Sequence, residues 1–234
     1  MFVVVCCRIN YSYKKYIFAA MIRLLSYIYP ITKKVKSNFN GTLEITWHNG
    51  KKHLNTKNAN YSYGSLQEIL KYGLEKIDLN DVNSVLLLGL GGGSVIETLN
   101  KDFGYKNKIT AVDIDSSIID VAKTEFNIKN NQNLKIICTD ALQFMNQNSK
   151  QYDLIIIDLF IDTSMPEQFL DTSFWQHITN SNTKKGSILF NASLENEKEN
   201  KLYDVINFLN RETYKVDIYN NVNKTNTLMI ANTL

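Results

Sequence analysis

No apolar run in the chain approaches the ~20 residues that a membrane-crossing helix needs, which argues against an integral membrane segment. Cysteine is equally scarce. Cys6, Cys7 and Cys138 are the only three, and no two stand at metal-ligand spacing. That argues against a zinc site and a disulfide framework, predicts no bound metal, and fits a reduced, cytoplasmic setting. Cys138 falls in an apolar strand pattern and is expected in the core. Acidic residues are missing from residues 1–43, which hold Arg8, Lys14, Lys15, Arg23, Lys33, Lys34 and Lys36. This segment carries +7, leaving −4 for residues 44–234 of a net +3. A mildly acidic body argues against a nucleic-acid partner. The opening MFVVVCCR is too short for a secretion signal, and Met21 is an alternative start.

What is present is organised around Ser84 to Asp115. Val85 to Leu90 is a continuous apolar run, too short for a helix and typical of a strand buried on both faces. Gly89, Gly91, Gly92 and Gly93 follow, and Ser94 opens a segment with Val95, Ile96 and Leu99 at helical spacing. A second apolar strand, Ile109 to Val112, ends in Asp113. Strand, glycine loop, helix, strand and acid form the first half of a doubly wound nucleotide-binding fold. Glycines let backbone approach a ligand, the helix N-terminus offers free N–H groups, and Asp113 is placed to accept ribose hydroxyls. The alternative is a tight turn that binds nothing.

Before this unit, Ile17 to Tyr29 predicts a helix with a broad apolar face, packed on the domain or on a twin subunit in a homodimer, or lying on a membrane surface. Leu43, Ile45 and Trp47 alternate with polar residues ahead of Asn49-Gly50, predicting a β-hairpin over Thr42 to Thr56. Gly64-Ser65 begins a helix with Leu66, Ile69, Leu70, Leu74 and Ile77 on one side. Tyr61 and Tyr63 precede it on a loop, as packing or as ligand contacts. The chain thus divides into a basic extension over 1–40, a hairpin and substrate-side loop over 41–63, and a main domain over 64–234 with an ordinary soluble composition of 44% hydrophobic and 21% charged residues.

Alternation continues after Asp113. Ser116 can cap a helix. Strands are predicted over Leu134 to Cys138, Leu154 to Ile157 and Ser187 to Asn191, with helices from Leu142, around Phe169 to Ile178, and over Glu195 to Arg211. Tyr214 to Tyr219 and Thr227 to Ala231 close the pattern as an antiparallel pair. The fold class is α/β: a doubly wound, mostly parallel, seven-stranded sheet with a final antiparallel hairpin, like that of the class I S-adenosylmethionine-dependent transferases. Asp113, Asp140 and Asp158 each follow a strand, where open α/β sheets bind ligands. Two acids, one for a ribose and one near an adenine amino group, suit an adenosyl nucleoside. A pyrophosphate is disfavoured, because the loop has neither Lys nor Arg and Gly89-x-Gly91-x-x-Ser94 lacks the third glycine of the dinucleotide fingerprint.

VLLLGLGGGSVIETL, AVDID, TDAL and DLIIIDLF resemble the successive motifs of the spermidine synthase family, the polyamine aminopropyltransferases, and the likeness runs from Gly41 onward. The resemblance implies that Gly89, Gly91 and Gly92 line the tail and sulfur of S-adenosylmethionine or its decarboxylated form. It implies that Asp113 holds the ribose, that Asp140 and Ala141 face the adenine, and that Asp158 is the catalytic acid that attracts and deprotonates an amine. Tyr63, with Gln67 and Asp162 displaced from the family positions, is assigned to the acceptor. The family's Ser-Ser pair is replaced by Leu159-Phe160, and Ile161 stands at its second acid. The expected activity is aminopropyl transfer to a polyamine or similar small-molecule amine. Methyl transfer to a small molecule, or nucleoside binding without turnover, are the alternatives.

Overall fold

The structure is a computed structural model and describes residues 17–58, 60–162, 164–192 and 199–234. Its centre is strand β5 (Ser84–Leu88), whose residues from Val85 on are all buried. Numbering in chain order, β6 is Lys108–Asp113, β7 Leu134–Cys138, β8 Tyr152–Ile157, β9 Asn182–Asn191, β10 Tyr214–Val222 and β11 Asn226–Thr233. They form one sheet in the order β10-β11-β9-β8-β5-β6-β7. From β9 to β7 all neighbours are parallel, while β11 runs antiparallel to both β9 and β10. All seven expected strands are therefore present, with the final antiparallel hairpin inside the sheet.

The apolar runs lack alternation because both faces of the central strands are covered. Leu86, Leu88, Ile155 and Phe190 point to helices α5 (Ala141–Gln147), α6 (Thr172–Asn180) and α7 (Glu199–Arg211), where Met145, Trp175 and Leu209 meet them. Val85, Leu87, Ile156 and Leu189 point the other way, to α2 (Ser65–Leu74), α3 (Ser94–Lys101) and α4 (Ser116–Glu125). The indole N–H of buried Trp175 donates to the Phe169 carbonyl at 3.0 Å, so its polar edge is satisfied. Residues 195–198 of the helix expected from Glu195 lie outside the described residues.

The expected hairpin is part of a larger element. Four antiparallel strands, β1 (Ile31–Lys36), β2 (Thr42–His48), β3 (Lys51–Asn55) and β4 (Asn60–Ser62), form a second sheet in that order. Asn49 and Gly50 turn between β2 and β3 with φ of 49° and 72°, as a two-residue hairpin requires. Leu43, Ile45 and Leu54 pack on Ile118 and Val121 of α4. Lys33 and Lys52 both pair with Glu125 at the end of α4. β1 lies in the segment expected to be an extension, because its three lysines hide the strand pattern. Charges of this kind are common on an edge strand.

Residues 17–25 form helix α1. Its chain continues to Ser26, which is buried and whose Oγ accepts the Gly50 N–H at 3.0 Å. Ile17, Phe18, Met21 and Leu24 are exposed, so the apolar face is not buried on the described part of the domain, contrary to one expectation. Cys138 is also exposed rather than in the core. The reason is topological: β7 is the edge of the main sheet. No helix among the described residues is long and apolar enough to cross a membrane.

Candidate functional site

A cavity of about 510 Å³ opens beyond the C-terminal ends of β5, β6, β8 and β9. The parallel strands deliver their end residues to one rim, which is why the aspartates converge. Asp113 and Asp158, from the ends of β6 and β8, line it together with Asp140, the first residue before α5, and Ala141. Asp162 lines the far wall. Among the described residues, no Lys, Arg or His lines this cavity.

Asp113 is almost fully buried, and its carboxylate is held by backbone. Oδ2 accepts the N–H groups of Leu90 and Gly91 at 3.0 and 3.2 Å, and Oδ1 accepts that of Asp115 at 2.9 Å. Burial still dominates and raises its pKa to about 6. The glycine loop is thus moulded around the acid expected to hold the ribose. Asp115 is a different kind of residue. It caps α4 through the Ser117 N–H, and its other oxygen accepts from Ser37 and from Asn40 Nδ2.

The glycines divide by role. Gly89 and Gly91 line the cavity. Gly89 has φ 95°, and a Cβ there would lie 2.0 Å from the Asp158 carbonyl oxygen. Gly92 is outside the lining; a Cβ on it would meet Ser62 and Tyr63 at 3.0–3.1 Å. Its small size therefore serves packing against the N-terminal sheet. Tyr63 and Gln67 are likewise not brought to the cavity. The Tyr63 ring stacks on Phe126 at 4.5 Å, its hydroxyl reaches the Gly92 carbonyl at 3.4 Å, and burial raises its pKa. Gln67 donates to Thr98 Oγ1 at 3.0 Å. Of that helix, Ser65, Leu66 and Ile69 line the cavity instead.

Asp158 is half-buried, and its Oδ1 accepts Asn191 Nδ2 at 2.9 Å. Burial, with help from the nearby Asp113 charge, raises its pKa to about 6 although the Asn191 hydrogen bond opposes this. Leu159, Phe160 and Ile161 continue the wall as an apolar strip. Asp162, at φ 53°, is held by Asn58 and Thr56, and these bonds keep its carboxyl below the usual range. Its backbone N–H donates to Asn40 Oδ1 at 3.1 Å. Asn40 therefore ties the β1–β2 turn to both Asp115 and the β8 loop, and it lines the cavity with Phe39.

Sequence reasoning missed Asn40, Asn191, Thr225 and Asn226. A polar residue closing the apolar run of β9 was a usable signal for Asn191, by the rule that picked out the aspartates. The other three reach the site only through turns of distant strands.

The sequence model described as "Spermine/spermidine synthase domain" matches residues 64–222. A probable polyamine aminopropyl transferase of Bifidobacterium longum is 24% identical over 151 residues, which cover 62% of this chain and 33% of that protein. The Drosophila melanogaster homolog of the eEF1A lysine and N-terminal methyltransferase is 31% identical over 135 residues, 52% of this chain and 20% of that one. The chain spans a third or less of the length of these relatives. Human methyltransferase-like protein 13, solved in complex with SAH, superposes with a TM-score of 0.62 at 21% identity, covering 73% of this chain and 83% of that one. This last likeness shows a shared methyltransferase-like fold.

Proposed function

Because the chain belongs to the spermine/spermidine synthase domain family, we propose that it is a transferase using an adenosyl-sulfonium donor to alkylate an amine, with decarboxylated S-adenosylmethionine as the donor. The observation that carries this reading is the charge of the cavity: four aspartates line it and, among the described residues, no cation does. Intact S-adenosylmethionine brings a carboxylate that such a wall repels. Its decarboxylated form brings only cations, a sulfonium and an ammonium, and the acceptor adds another. The cavity volume of about 510 Å³ is within the range of small-molecule sites.

In this reading the ribose hydroxyls donate to lone pairs of Asp113 left over from the loop N–H groups, and Asp140 with Ala141 lies against the adenine. Asp158 binds the acceptor ammonium. The amine must lose a proton to attack, and its reference pKa is near 10. Asp158 takes that proton as the amine nitrogen bonds to the carbon next to sulfur and the C–S bond breaks, leaving a neutral thioether. A carboxylate pKa raised to about 6 makes a stronger base than an ordinary aspartate while remaining mostly ionised at neutral pH. The activated sulfonium needs no further electrophilic help, so the rest of the site contributes alignment and exclusion of water.

A second reading is favoured by the apolar strip Leu159, Phe160 and Ile161, which offers nothing to a second ammonium of a long polyamine. Methyl transfer to a less charged acceptor suits that strip. Calorimetric titration with both donors, followed by assays with short diamines, separates the readings. Tighter binding of the decarboxylated donor and release of methylthioadenosine support aminopropyl transfer. Preference for the intact donor and release of S-adenosylhomocysteine would replace it with methyl transfer. Binding without turnover of either donor would leave a nucleoside-binding protein.

A further inference from the structure

We infer that Asn191, braced by Asn226, is a positioning residue that fixes the orientation and the ionised state of the Asp158 carboxylate. This rests on the reading of Asp158 as the amine-binding base. Asn191 closes β9, is fully buried and lines the cavity. Both ends of its amide are used. Nδ2 donates to Asp158 Oδ1 at 2.9 Å, and Oδ1 accepts from Asn226 Nδ2 at 2.8 Å. Asn226, the first residue of β11, in turn accepts from the Thr225 hydroxyl at 2.8 Å. The donors thus run in one direction, from Thr225 through Asn226 and Asn191 to Asp158.

That direction matters because a primary amide can present either end. With the NH₂ toward Asp158 the amide favours a carboxylate. Turned over, its carbonyl would face the same oxygen and demand a protonated acid. The ionised Asp158 only accepts and so takes the NH₂ end, and the Asn226 amide bonded to the Asn191 carbonyl holds the side chain in that position.

The surroundings make this donor decisive. Asp113, from the end of β6, repels charge on Asp158. Asp140 before α5 and Asp162 beyond β8 share the cavity, and no cationic side chain among the described residues lines it. Burial and neighbouring charge all favour protonation, and the Asn191 amide opposes them.

Thr225 in the turn joining the two C-terminal strands and Asn226 at the start of β11 both line the cavity. The hairpin tip is therefore part of the site as well as a connection.

The test uses Asn191→Leu, which keeps the shape and removes both amide ends, and Asn226→Ala, which removes only the brace at a partly exposed tip. The Asp158 titration is followed by carbon-13 NMR of its carboxyl in the whole protein, alongside the pH profile of turnover. A charged hydrogen bond of ordinary strength predicts that Asn191→Leu raises the Asp158 titration midpoint by about one pH unit. The acid limb of turnover should move with it, and Asn226→Ala should move both in the same direction by less. Midpoints unchanged in both variants would overturn the inference. If Asn191→Leu does not fold, Asn226→Ala decides by itself. Should Asp158→Asn retain amine turnover, the base assignment fails, while the NMR midpoints still decide whether Asn191 controls the carboxylate.

Discussion

Gly89 and Asp158 meet backbone against backbone. The left-handed φ of Gly89 and the 2.0 Å approach that its missing Cβ would make to the Asp158 carbonyl leave no room for any other residue. The Asp158 N–H also donates to the Leu88 carbonyl at 2.8 Å, so the ends of β5 and β8 are locked together where the two halves of the cavity join. Gly89→Ala should therefore cost about 3 kcal/mol of stability through overpacking and strain, read as a lower urea midpoint. A midpoint within error of the parent would show that the loop can shift.

Asp113→Ala removes the acceptor around which the glycine loop is wrapped and leaves ribose hydroxyls facing a methyl group. Affinity for methylthioadenosine should fall on the order of a hundredfold. Calorimetry showing unaltered affinity would remove Asp113 from the nucleoside site.

Asp158→Asn preserves shape and takes away the charge. Methylthioadenosine should still bind, while turnover with an amine acceptor should drop by about 10²–10⁴-fold, as for a lost general base. Near-normal turnover would eliminate base catalysis by this residue.

The two acids also set a pH signature for stability. Both pKa values are raised in the folded chain to about 6. The native state therefore holds protons that the unfolded chain releases near pH 4, and stability declines as pH rises from about 4 through 6. Glu125, Asp153 and Asp162, whose carboxyls lie below their ordinary values, act oppositely at lower pH, and His53, whose imidazole burial holds below its ordinary value, acts oppositely below about pH 6.5. Two aspartates outweigh one partly buried histidine, so the ligand-free protein should melt a few degrees higher at pH 5 than at pH 7, and His53→Asn should widen the difference. Asp158→Asn should flatten this slope, and a melting curve parallel to the parent's would contradict the raised value.

Tyr63 tests packing against substrate contact. Its ring stacks on Phe126 and its hydroxyl engages the Gly92 carbonyl and Glu97, neither of which lines the cavity, so Tyr63→Phe should leave donor affinity and turnover within about twofold. A large loss of turnover would restore the tyrosine to the acceptor site.

The aspartate wall of the cavity was readable because each acid stands at or just beyond the end of a parallel strand, and strand ends converge in any parallel sheet. Asp113, Asp140 and Asp158 needed no knowledge of distant pairing. The opposite wall depended on pairing that local patterns do not encode. Asn40 arrives on the turn of a sheet whose first strand, Ile31–Lys36, reads as a basic tail. Asn226 sits in a polar link that looks like any connection. Tyr63 and Gln67 precede or open the correct helix, yet that helix turns other residues to the cavity. Cys138 shows the same limit, since an apolar strand at an edge cannot be told from one at the centre without the strand order.

The strand order also fixes when the site can exist during synthesis. β5, β6 and β7 pair in the order in which they emerge, so the loop around Asp113 can form on a nascent chain as soon as these strands have left the ribosome. β8 then returns to the open side of β5, bringing Asp158 beside Gly89. At that moment the carboxylate comes to lie near Asp113 while Asn191 and Asn226 are still unmade. The brace arrives only when β11 inserts between β9 and β10. Until then Asn191 stands beside Asp158 without its brace, and the newborn domain completes this wall of the cavity as its closing step.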